Sequence, residues 1–94
     1  MVVIVCVIEL YLPSAHSLKD KRRQLKSLLV RLGQAFNVAV AEVDYHDHWQ
    51  SAKMALVTVS KDAARAEQVL TQAVAWIERE RPDLTIVDWQ LARY

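Results

Sequence analysis

A chain of 94 residues supports one small domain and has no room for a second core of independent size. With 53% hydrophobic and 24% charged residues, one glycine and two prolines, it cannot be a disordered or linker-rich polypeptide. The formal net charge of +1, taken alone, argues against a dedicated polyanion or membrane binder, yet it conceals a dipole. Residues 17–32 hold six cations (Lys19, Lys21, Arg22, Arg23, Lys26 and Arg31) and one acid, Asp20, a local +5 that leaves −4 on the remainder.

Val2 to Leu12 is rich in β-branched residues and apolar on both faces, which predicts a central strand ending at Pro13. It lacks the basic flank and cleavage site of a secretion signal, and about ten apolar residues fall short of the ~20 that span a bilayer as a helix. The lone cysteine, Cys6, lies within this strand, which points to a buried, inert thiol and a reducing compartment. A cytoplasmic protein without membrane contact is expected.

A loop, Pro13 to His16, precedes Ser17, whose hydroxyl caps a helix with Asp20 three residues on, a carboxylate variant of the capping box. Leu18, Leu25, Leu28, Leu29, Leu32 and Phe36 form its apolar seam, and Gly33 is expected to weaken the last turn and end the helix early. Phe36 to Asp44 and Ala52 to Ser60 alternate as the strands of a hairpin whose polar tip is Tyr45 to Ser51. Ser60 and Asp62 cap a second helix with the seam Ala66, Val69, Leu70, Ala73, Val74 and Ile77, stopped by Pro82. Leu84 to Leu91 is the last strand.

The order β-α-β-β-α-β with right-handed crossovers predicts an α+β, ferredoxin-like domain over residues 1–94. Its four-stranded antiparallel sheet carries both helices on one face. The other face remains apolar: Val3, Val5 and Val7, with Ala39, Ala41, Val43, Val57 and Val59, alternate against the core-facing set. An open sheet face of this kind normally turns polar, so a homodimer or higher homo-oligomer burying sheet against sheet is expected.

At ~100° per residue, Lys19, Arg22, Arg23 and Lys26 fall within an arc of roughly 100° beside the apolar seam. Without interleaved acids, they form a basic flank suited to phosphates, although a solvated helix face would look similar. The aromatic strand platform of an RNA-recognition motif is absent, since the third strand reads KMALVTVS. His46 and His48, with Asp44 and Asp47, concentrate metal-ligand types on the hairpin tip, but lack a fourth ligand, so a polar turn packed down by Trp49 is the better reading and no metal is expected. Glu9, Glu42, Asp44 and Asp88 lie on strands, where they serve either as an acid–base set in a pocket or as partners of Lys and Arg. One glycine cannot build a phosphate loop, a nucleophile elbow or the cradle of an acylphosphatase, and neither catalytic residues nor a cofactor is expected.

The segments Ser17-Leu18-Lys19-Asp20-Lys21-Arg22-Arg23, Leu25-Lys26-Ser27-Leu28, Phe36-Asn37-Val38, Ala41-Glu42-Val43-Asp44 and Asp47-His48-Trp49-Gln50-Ser51-Ala52 resemble the YlxP-like family, bacterial domains of unknown function. The resemblance spans nearly the whole chain. It implies a ferredoxin-like domain of this length, commonly encoded beside translation-initiation and small-subunit maturation factors, and supplies no catalytic residues. A non-enzymatic module that meets RNA or a ribosomal partner through Lys19, Arg22, Arg23 and Lys26 is therefore expected. The alternative is a homo-oligomer with a small-molecule or metal pocket at its interface.

Overall fold

The computed structural model describes residues 1–94 and contains six elements. These are β1 (Val2–Tyr11), α1 (Leu18–Ala35), β2 (Ala39–Asp44), β3 (Ser51–Ser60), α2 (Ala63–Glu80) and β4 (Thr85–Arg93). All four strands pair antiparallel in the order β2-β3-β1-β4, so β1 and β3 are central and β2 and β4 are edges. This is the ferredoxin-like plan.

Alternation along β1 separates the two faces. Val2, Ile4, Cys6, Ile8 and Leu10 are buried, while Val3, Val5, Val7 and Glu9 between them are half-buried. The buried set packs with Ala52, Met54 and Leu56 of β3, Leu25, Leu28 and Leu32 of α1, and Ala66, Leu70, Ala73, Val74 and Ile77 of α2. One helix-covered layer thus holds the core, and the second sheet face is left bare.

Both helices start where capping chemistry places them. The Ser17 hydroxyl accepts the Asp20 N–H at 3.0 Å, and Asp20 Oδ2 accepts the His16 N–H at 3.1 Å, satisfying two otherwise orphaned donors. Asp62 Oδ1 accepts the Ala64 N–H at 3.0 Å at the start of α2. Helix α1 runs two residues past Gly33, whose missing Cβ meets nothing within 4 Å, and stops at Phe36, where the backbone turns extended. The glycine lies on the solvent side, so its cost is propensity alone and the leucine seam carries the turn through. Phe36 accordingly belongs to neither helix nor strand; its ring stands edge-on to Trp76 of α2 at 6.1 Å, and β2 begins three residues later than the alternation predicts.

Cys6 is fully buried at the centre of β1. Burial pushes its thiol up from 9.0 to about 11, because the thiolate would lose its hydration. The raised value has a definite sign: above pH ~9 the unfolded chain releases a proton that the native state retains, so stability falls as pH rises through that range. Alkylation of Cys6 at pH 8 is expected to proceed only as fast as the protein unfolds. Labelling by iodoacetamide at the rate of a free thiol in the native protein would refute the buried assignment.

Candidate functional site

Helix α1 divides its cations between two environments. Lys19, Arg22, Arg23 and Lys26 are exposed on its outer face, as their angular positions require. Lys21 is 1% exposed and belongs to the opposite side, where it heads the buried row Lys21, Leu25, Leu28, Leu32. That spacing of four, three and four was available in the sequence.

The strand beneath supplies the partner for this buried ammonium. Glu42 pairs with Met54 in the register and so shares the core-facing side of the sheet. Its Oε2 lies 3.0 Å from Lys21 Nζ, whose well-aligned hydrogen bond goes instead to the Tyr45 carbonyl at 2.6 Å. The same carbonyl accepts the His48 N–H at 3.0 Å and closes the turn at the hairpin tip. Tyr45 holds φ 63°, a left-handed conformation uncommon for a bulky residue, and is held in it from several directions. Its hydroxyl donates to Glu9 Oε1 at 3.2 Å on the open face, Lys53 Nζ sits 5.2 Å from its ring centroid, and the His48 ring meets it edge-on.

The four strand carboxylates do not converge. Glu9 and Asp88 face each other across β1 and β4 and line a cleft of about 110 Å³ with Val7, Lys53 and Gln90. Glu42 is on the other side of the sheet under Lys21. Asp44 caps its own chain, accepting the Tyr45 N–H at 2.8 Å. The histidines are divided too: His46 Nε2 approaches Glu42 Oε1 at 3.9 Å, whereas the His48 ring meets Tyr45 edge-on, and nowhere do three or more His, Cys, Asp or Glu side chains gather at ligating distance.

Trp49 departs from expectation. The tip is packed down by Gln50 and not by the indole, which is 53% exposed. The Gln50 carbonyl accepts the Leu12 N–H at 2.8 Å, and its amide donates to the carbonyls of Pro13 and Ala15 at 3.4 and 3.3 Å. With the backbone beside it tied down in this way, Trp49 has no need to bury its ring.

Of the exposed cations, Arg23 pairs with Asp20, and Arg31, outside the flank, lies over the Trp76 ring at 5.1 Å. The His16 N–H, followed by the side chains of Arg23 and Gln24, holds the Asp20 carboxyl below its ordinary range, so it stays charged at neutral pH. Lys19, Arg22 and Lys26 make no intramolecular ion pair. No helix is long and apolar enough to cross a membrane.

Two comparisons bear on this arrangement. The DUF503 family, described as proteins of unknown function, matches residues 3–91. An uncharacterized protein YlxP of Bacillus subtilis (strain 168) is 38% identical over 64 residues, covering 68% of this chain and 70% of that protein.

Removal of the buried ammonium tests the pairing. Lys21→Met should destabilise the fold by about 2–4 kcal/mol in urea denaturation, since it leaves Glu42 without its cation and removes one of the two donors to the Tyr45 carbonyl. Lys21→Met combined with Glu42→Leu should recover most of that loss. An unchanged midpoint for the single variant would show that the pair contributes nothing.

Proposed function

The chain belongs to the DUF503 family, whose function is unknown, and from that premise we propose that it is a non-enzymatic, cytoplasmic module that binds RNA through the outer face of α1. The observation that carries this reading is the sorting of charge on α1. Four cations stand in solvent on one arc, the one neighbouring acid is already occupied by Arg23, and the rest of the molecule is net acidic. Lys and Arg so arranged neutralise backbone phosphates, which supplies affinity and salt dependence without reading sequence. The implied neighbourhood of translation factors makes structured RNA of the ribosome the first ligand to try.

The test is binding to a structured RNA across a salt series, with wild type set against Lys19, Arg22, Arg23 and Lys26 changed together to Ala. Loss of four phosphate contacts should flatten the slope of log K against log salt by about three to four. If both proteins bind alike, or neither binds, the flank is a solubilising surface.

The open face supports a second, compatible reading: a homodimer in which two sheets pack face to face. Val3, Val5, Val7 and Val57 are half-buried on the sheet face opposite the core, and Val59 is 54% exposed. Four strands ~4.8 Å apart and about nine residues long present roughly 550 Å² of face, so two copies would bury ~1,100 Å², at the lower end of specific interfaces. A second copy would also roof the cleft of Glu9, Lys53, Asp88 and Gln90, turning it into an enclosed polar pocket for a small molecule. Light scattering should give twice the 10.8 kDa chain mass, and Val57→Glu should return it to 10.8 kDa. A wild-type mass of 10.8 kDa at high concentration rules the dimer out.

A further inference from the structure

Two clefts flank the first turn of α1. One, of about 550 Å³, is lined by Leu18, Asp47, His48, Trp49, Gln50 and Ser51. The other, of about 510 Å³, is lined by His16, Ser17, Lys19, Asp20 and Arg23. Leu18 belongs to the first and its neighbours Ser17 and Lys19 to the second, so an exposed indole and the start of the basic flank border the same helical turn.

We propose that Trp49 is a stacking platform for one unpaired base of a single-stranded RNA segment, whose phosphates then run along Lys19, Arg22, Arg23 and Lys26. This rests on the RNA reading above and specifies its ligand. Three observations carry it. The indole is half exposed, and the backbone beside it is tied down by three hydrogen bonds of Gln50, so the point from which the ring projects is fixed. An aromatic face that a base can cover, set beside cations that track a backbone, is the combination that single-stranded nucleic acid requires. Lys19 and Lys26, seven residues apart, are separated by ~10 Å along the helix axis with the two arginines between them, giving a track for successive phosphates.

The acids agree with this polarity. Asp47 borders the indole cleft, where it repels phosphate and can accept from a base amino group. Asp20, in the second cleft, is occupied by Arg23, by Gln24 and by the His16 N–H. Phosphate is therefore directed to the cations and the base to Trp49.

The experiment measures fluorescence anisotropy of a short labelled single-stranded RNA, and of the same sequence as a duplex, against wild type, Trp49→Ala, Trp49→Phe and the fourfold Ala variant of the flank. Thermal unfolding of each variant verifies that the fold is kept. Wild type should prefer the single strand. Trp49→Ala should weaken single-strand binding by about 5- to 150-fold with the salt slope and duplex binding unchanged, and Trp49→Phe should retain most of the affinity. If wild type binds and the fourfold variant does not, yet Trp49→Ala binds as wild type or the duplex is preferred, the stacking site is refuted and the basic-flank reading survives. If wild type binds neither RNA, both fall.

Discussion

A primary ammonium enclosed between a helix and a sheet is the contact on which the arrangement of this surface depends. Lys21 cannot remain charged there without acceptors, and the fold provides a carboxylate from β2 and a carbonyl from the tip of the hairpin. Lys21 shares its row with Leu25, Leu28 and Leu32, and with that row turned to the sheet Lys19, Arg22, Arg23 and Lys26 stand in solvent. Tyr45, whose carbonyl accepts from Lys21, holds a left-handed conformation whose cost of about 1–3 kcal/mol is offset by the bonds its carbonyl and hydroxyl make. Tyr45 thereby connects the two sides of the sheet: its carbonyl serves the helix side and its hydroxyl the open side.

From that anchor the division of labour between surfaces follows. The helices cover one face of the sheet and the core lies between them. The tip, pinned by Lys21 on one side of the turn and Gln50 on the other, carries Trp49 beside the first turn of α1. The opposite face of the sheet keeps its valines half-exposed, with Glu9, Lys53, Asp88 and Gln90 at one end. Both edges of the sheet are irregular, with register shifts at Val43 in β2 and around Val87 in β4, a device that discourages uncontrolled strand addition at an edge. Association through the face is thus geometrically simpler than through the edges.

Much of this was legible in the chain. Period-two alternation in β1 and the hairpin, the leucine spacing of α1 and the caps at Ser17, Ser60 and Asp62 identify six elements and their order, and β1 is central because both its faces are apolar. Local rules failed where a side chain answers to something distant. Gly33 suggests the end of a helix that the packing of Leu32 continues, and Phe36, which fits both the helical and the strand period, lies in neither element and packs its ring on Trp76. Lys21 looked like one cation among six, although its spacing with Leu25, Leu28 and Leu32 placed it on the seam. The tip residues gave the least away: Trp49 reads as a packing residue until Gln50 is seen to do that work.

The sequence by itself determined the fold class, the core and the outward arc of four cations, because each depends on periodicity within a single element, and backbone geometry converts periodicity directly into a face. Only the tertiary structure decided which acid the seam lysine meets, which carboxylates face each other and which aromatic stands free. Those outcomes depend on register and on pairs such as Lys21 with Glu42 and Tyr45 with Glu9, 21 and 36 residues apart. Desolvation makes such pairs obligatory once the elements are packed, and nothing local in the chain specifies them beforehand.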